Sequence, residues 1–154
     1  MSALHRDAVI LEMKATTKEG ALRELAGLAA TRWGRCTEET LYRILSEREH
    51  VGSTSVGNGV AIPHGKVEGL DGILLCFGRS RIGLNFDAID KRSVYLFVLV
   101  LAQAGLGEEY LEALARASLI VKEPGNRQKL LEAVSKDEVL EVFADWETIL
   151  PAPS

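Results

Sequence analysis

The stretch Val94-Tyr95-Leu96-Phe97-Val98-Leu99-Val100-Leu101-Ala102 is the longest uninterrupted apolar run in the chain. It has about half the length a helix needs to cross a bilayer. It is also crowded with aliphatic and aromatic side chains, so it predicts a strand buried on both faces rather than a membrane span. Ile73-Leu74-Leu75-Cys76-Phe77 has the same texture and predicts a second buried strand. Strands covered on both sides need helices above and below them.

The flanking sequence supplies those helices. Val9-Ile10-Leu11 is a short β-rich run, and Thr16 with Glu19 has the spacing of a capping box that opens a helix. Leu22, Leu25, Leu28, Ala29 and Trp33 recur at helical spacing, with Gly34 placed to end the element. Thr37 is the next N-cap candidate, ahead of Leu41, Ile44 and Leu45 on a helix reaching about Arg48. After the long strand, Leu111, Leu114 and Ala117 form one helical stripe, which Pro124-Gly125 break. Leu130, Leu131 and Val134 form another, and Ser135 with Glu138 repeats the capping-box spacing before Val139, Val142, Phe143 and Trp146. The expected fold class is α/β, a central mixed sheet flanked by helices.

A chain of 154 residues fits one domain, 1–154, with its core at about 7–147 and flexible ends. A domain of this size buries roughly 68–70% of the surface its unfolded chain exposes. The 18 basic and 22 acidic residues give a formal charge of -4, and the basic residues are scattered, which argues against a nucleic-acid partner. The opening Met1-Ser2-Ala3-Leu4-His5-Arg6-Asp7 lacks the basic region and apolar stretch of a secretory signal. Cys36 and Cys76 belong to no CxxC pair, and reduced thiols in a cytoplasmic protein are expected.

Between Val51 and Gly72 the texture changes to a glycine-rich stretch with Ser53, Thr54 and Ser55, read as loop and short strand. Of the three histidines, only His64 lies in a context built for chemistry: Gly57-Asn58-Gly59-Val60-Ala61-Ile62-Pro63-His64-Gly65-Lys66. Glycines let the backbone bring its N–H groups close to an anion, while Pro63 fixes the direction of the next side chain. Such a loop suits a phosphoryl group with no metal or cofactor. A histidine with a pKa near 6.5 is mostly neutral in the cytoplasm, and its free ring nitrogen can attack phosphorus without a separate base. On residue chemistry alone, an ordinary Gly-Asn-Gly turn followed by an ordinary loop histidine fits as well.

The longer pattern from Arg48-Glu49-His50-Val51-Gly52-Ser53-Thr54-Ser55-Val56 through Pro63-His64-Gly65-Lys66 resembles the phosphorylation-site signature of the fructose/mannitol-type enzyme IIA family of the bacterial phosphotransferase system. It looks most like the stand-alone nitrogen-regulatory branch, and the likeness continues through Asn85-Phe86-Asp87-Ala88-Ile89-Asp90 towards Leu111. The resemblance implies a three-layer fold and phosphorylation of His64 by a histidine-containing phosphocarrier protein, with Arg48 beside the phosphoryl group. Arg48 suits a loose transition state whose charge lies on the equatorial oxygens. Ser53, Thr54 and the amides near Asn58 and Gly59 are candidate further donors to phosphate. Lys66 reads as a surface residue, and His50 and His5 as structural or exposed.

One position departs from the family pattern. A second active-site histidine usually opens the helix after the long strand, in a His-Leu pair, and the matching register here holds Glu109-Tyr110-Leu111. A phenol with a pKa near 10 donates one hydrogen bond but does not become a cation, which bears on onward transfer more than on phosphorylation. The first expectation is therefore a phosphoryl carrier that controls targets such as transporters or kinases by its phosphorylation state. The alternatives are a sugar-transport subunit donating to a cysteine-bearing enzyme IIB, and a regulatory binding module with little turnover.

Overall fold

The computed structural model describes residues 4–146 and 148–149, and the two apolar runs form its centre. Strand β5 (Ile73–Leu84) pairs antiparallel with β6 (Val94–Gln103), Cys76 standing opposite Leu99 and Phe77 opposite Val98. On one side, β1 (Val9–Ile10) runs parallel to β5. On the other side of β6 lie β3 (Val60–Ala61) and β4 (His64–Val67), both parallel to it. Val60 stands opposite Leu96 and His64 opposite Val100, so the register carries straight across Ile62-Pro63. A proline lacks an N–H and is tolerated where only its carbonyl faces the neighbouring strand. The Pro63 carbonyl accepts from the Val100 amide at 3.0 Å, and the Ile62 amide turns the other way to Thr54. Strand β2 (Ser55–Gly57) pairs antiparallel with β3 and ends that edge, completing a mixed six-stranded sheet.

Helices α1 (Lys18–Arg32) and α2 (Glu38–Val51) pack together on one face of the sheet. Helices α3 (Gly107–Lys122), α4 (Pro124–Glu132) and α5 (Lys136–Val142) cover the other. Adjacent residues of β5 show the two faces: a side chain at Gly78 would meet Met13 and Leu25, whereas the Phe77 ring packs edge-on against Phe143, 6.1 Å between centroids. The result is the expected α/β architecture of a mixed sheet flanked by helices.

Several local expectations shift. Helix α1 is capped by Thr17, whose hydroxyl accepts from the Gly20 amide at 3.0 Å, rather than by Thr16. Helix α2 continues to Val51, three residues past Arg48. Strand β5 extends to Leu84, well beyond Phe77. Leu111, Leu131 and Val134 are exposed, and the buried stripe of α3 is Ala113, Ala117, Ile120 and Val121. Pro124 ends one helix and opens the next, at a position where its missing N–H is no loss. The Thr37 and Ser135 caps stand where the sequence puts them. Residues 1–3 and 150–154, for which flexibility is expected, lie outside the described residues.

Buried Arg79 in β5 is 3% exposed and has no carboxylate partner among the described ion pairs. Its guanidinium donates instead to the carbonyls of Leu11, Leu130, Leu131 and Ala133. Three of those carbonyls lie at the C-terminal end of α4, which carries partial negative charge and has no intrahelical donors left to satisfy it.

Candidate functional site: a histidine between two helices

His64 opens β4 rather than sitting in a loop, and this fixes its direction. Neighbouring residues of a strand face opposite ways, so His64 and Gly65 look to different sides of the sheet. On the Gly65 side a Cβ would fall 2.6 Å from Cγ2 of Ile44, so only glycine lets α2 approach this closely. Arg48 lies one turn after Ile44 on the same helix face. The close approach of α2 at Gly65 thus carries the guanidinium to the sheet edge beside His64.

The imidazole is held at both nitrogens. Nδ1 lies 2.7 Å from the Ile62 carbonyl, which can only accept, so Nδ1 keeps the proton and donates, and the lone pair is on Nε2. Arg48 Nε donates to Nε2 at 3.2 Å, while its Nη1 is anchored on the Gly52 carbonyl at 2.9 Å. Burial pushes the His64 pKa below its ordinary 6.5 and the Arg48 charge adds to this, against the opposing effects of the Ile62 hydrogen bond and Glu49. The ring is therefore neutral at pH 7. It looks into an open cleft of about 280 Å³ whose walls include Arg48, Ser53, Thr54, Ile62 and Leu114.

The other candidate donors have different partners. Ser53 Oγ donates to the Phe86 carbonyl and accepts from the Ser55 amide. Thr54 gives both its amide and its hydroxyl to the Glu49 carboxylate, which is also paired with Lys18 Nζ at 3.0 Å. Both residues wall the cleft, but their hydrogen-bonding groups are engaged with Phe86, Ser55 and the Glu49 carboxylate of α2. Asn58 and Gly59 occupy the β2–β3 turn at φ of 57° and 77°. The Gly59 carbonyl accepts from Tyr95 and Leu96, and neither turn residue lines the His64 cleft. Asn58 belongs to a neighbouring hollow with Val56, Ser118 and Lys122.

Tyr110 stands in the first turn of α3, its ring centroid 5.9 Å from that of His64 and tilted by 59°. The register set by Glu109-Tyr110-Leu111 thus brings the phenol to the imidazole. Burial raises its pKa above the ordinary 10, opposed by Arg48, so it remains a neutral donor. His50 and His5 are exposed, away from this cleft.

Sequence reasoning missed two residues. Glu49 is 8% exposed and holds the loop after α2 through Thr54. Its place beside Arg48 gives no sign of burial, because the partners that neutralise it come from α1 and the loop. Gly65 reads as part of the loop and short strand between Val51 and Gly72, and its packing against Ile44 has no local signal.

Comparison with known proteins gives a consistent answer. The family model for "Phosphoenolpyruvate-dependent sugar phosphotransferase system, EIIA 2" matches residues 2–146. A nitrogen regulatory protein of Bradyrhizobium diazoefficiens is 36% identical over 138 residues, 90% of each chain. A fructose-specific EIIA component of the phosphotransferase system from Haloferax volcanii is 35% identical over 139 residues, again 90% of each chain. The crystal structure of the nitrogen regulatory protein IIA-Ntr from Neisseria meningitidis superimposes with a TM-score of 0.85 at 29% identity, covering 90% of this chain and 94% of that one. With the model spanning almost the whole chain, the protein belongs to the EIIA 2 family, the phosphoryl-carrying IIA components of the phosphotransferase system.

Proposed function

We propose that His64 accepts the phosphoryl group on Nε2 from the phosphohistidine of a histidine-containing phosphocarrier protein, in the cytoplasm. The observation that carries this reading is the Nδ1 contact with the Ile62 carbonyl at 2.7 Å, which leaves the lone pair on the nitrogen beside the cleft. The Nε2 pair forms the new P–N bond as the donor's P–N bond breaks and its electrons return to the donor imidazole. No proton need move at Nδ1. Arg48 has two tasks: its hydrogen bond orients Nε2 before transfer, and its charge faces the oxygens of the incoming group afterwards.

The phosphorylated chain acts as a regulatory signal to protein targets such as transporters or kinases. Support comes from the likeness to nitrogen regulatory proteins and from Tyr110, a neutral partner on the side where onward transfer would benefit from a cation. A second reading, donation to a cysteine-bearing enzyme IIB, is favoured by the fructose-specific relative. If Tyr110 suppresses turnover altogether, the chain is a binding module instead.

Incubation with phosphoenolpyruvate and the general phosphotransferase proteins should place one acid-labile, alkali-stable phosphoryl group on the wild type and on His50→Ala, and none on His64→Ala. Label persisting in His64→Ala overturns the assignment, and an unlabelled wild type selects the binding module. Chasing the labelled protein with an enzyme IIB domain then separates transport from regulation.

A further inference from the structure

Lys66 shares a strand face with His64, because residues two apart in β4 point the same way, about 6.5 Å apart along the chain. Its side chain is exposed and makes no ion pair among the described residues. Instead Nζ stands 5.4 Å from the centroid of the Tyr110 ring, within the range of a cation–π contact. A Cβ built on Gly107 would lie 3.9 Å from the same nitrogen, so the ammonium rests against the first residue of α3. The His64 imidazole is also beside that ring, at 5.9 Å. One phenol ring therefore has both a cation with no described ion pair and the His64 imidazole close by, at 5.4 and 5.9 Å from its centre.

A phosphohistidine brings about -1.5 to -2 charges into a cleft where Arg48 is the only described cationic wall residue. The guanidinium approaches from α2, and Tyr110, from α3, contributes no charge. We propose that Lys66 is the second cation of the phosphorylated site, resting on the Tyr110 ring in the free protein and contacting phosphoryl oxygens when His64 carries the group. This inference rests on the assignment of His64 as acceptor. The lysine stem is long and unhindered at the protein surface, and a contact with a ring face is weak enough to exchange for a charge-assisted hydrogen bond. Lys66, read from sequence as a surface residue, then supplies the charge that Tyr110 lacks.

The test compares wild type, Lys66→Met, Lys66→Arg and, as a remote control, Lys14→Met, an exposed lysine just after β1 at the far edge of the sheet. Single-turnover acceptance from the phosphocarrier is measured together with a 31P NMR titration of the phosphorylated proteins. Lys66→Met should accept about 3–30-fold more slowly, the range for one hydrogen bond to a charged group at a partly exposed site. It should also raise the pH at which the bound phosphoryl group takes up its proton. Lys66→Arg should keep most of both properties, and Lys14→Met should match wild type. The 31P shift responds to charge at the phosphoryl group, so a purely structural role for Lys66 would leave it unmoved. A wild type that labels on His64, with Lys66→Met superimposable on it in both measurements, overturns the role of Lys66 alone. A wild type with no label overturns the acceptor assignment and this inference together.

Discussion

On the α2 side of His64 the contacts are close: Ile44 closes on Gly65, Arg48 is anchored on Gly52, and its Nε meets His64 Nε2 directly. On the α3 side the contacts are rings and a long flexible cation, with Tyr110 tilted at 5.9 Å and Lys66 against the same ring. The first flank is preorganised and the second adjustable. Rate should therefore depend most on the α2 flank, where positioning is complete before the phosphoryl group arrives. The α3 flank should govern how long the group is kept.

The largest effect is expected at Arg48. Arg48→Ala should slow acceptance by a factor on the order of 10–1000, as for removal of one donor to a developing anion, with little change in melting temperature. Arg48→Lys should recover only part of the rate, since a point charge cannot both orient Nε2 and face the oxygens. Unchanged kinetics in Arg48→Ala would return the arginine to the solvated surface and erase the contrast between the flanks.

Next in size is Gly65→Ala, where the new methyl group meets Ile44 and costs about 1–3 kcal/mol of stability as α2 is pushed outward. Acceptance should slow with it. In an Ile44→Ala background the same change should cost less than half as much in a denaturant-unfolding cycle, because the colliding atom is gone. Equal costs in both backgrounds would mean that the closeness of α2 does not depend on this contact.

Tyr110→Phe is the smaller test of the other flank and should weaken retention of the phosphoryl group by about 0.5–1.5 kcal/mol, the net value of one hydrogen bond. Tyr110→His should accelerate transfer, most clearly below pH 7 where the new imidazole gains a proton. Single-turnover profiles for the three proteins over pH 6–8 decide this. If they superimpose, the α3 flank takes no part.

The mildest prediction concerns pH. The pKa of His64 lies below 6.5 in the folded protein, so between those two values the unfolded chain binds more protons. The contribution of His64 to stability should then be fully present above about pH 6.5 and fall as pH drops through this window, and His64→Gln should flatten that slope. The acceptance rate should likewise hold down to a midpoint below 6.5. Arg48→Ala should raise that midpoint, since its charge is one cause of the depression.

What could be read from the sequence follows the range of the interactions involved. Val94–Leu101 announces a buried strand because burial on both faces demands apolar residues throughout. The far half of β5 hides its character because it carries Gly78-Arg79-Ser80-Arg81, and the burial of Arg79 makes sense only once the carbonyls at the end of α4 arrive from 51 to 54 residues away. Leu131 and Val134 misled because α4 is short and buries Leu130. At the site, the long pattern points to His64 and Arg48, and the hydrogen bond between them joins α2 to β4 across only 16 residues of chain. Thr54 and Gly59 were legible as loop residues but not in their partners, since Glu49 claims the polar groups of Thr54, and Tyr95 and Leu96 the Gly59 carbonyl, through the tertiary fold.

The pair of thiols gives the molecule an internal reporter. Cys76 is fully enclosed in β5, opposite Leu99, and burial pushes its pKa up to about 12. Alkylation needs both contact with solvent and the thiolate, so this sulfur should react only when β5 and β6 part. Cys36, only partly buried, should be modified by the same reagent from the native state. The slow phase of maleimide labelling would then time opening of the central sheet, with the fast phase as its reference. Because β4, which carries His64, hangs on β6 through its own register, comparing that slow phase before and after phosphorylation measures whether the added group tightens or loosens the core.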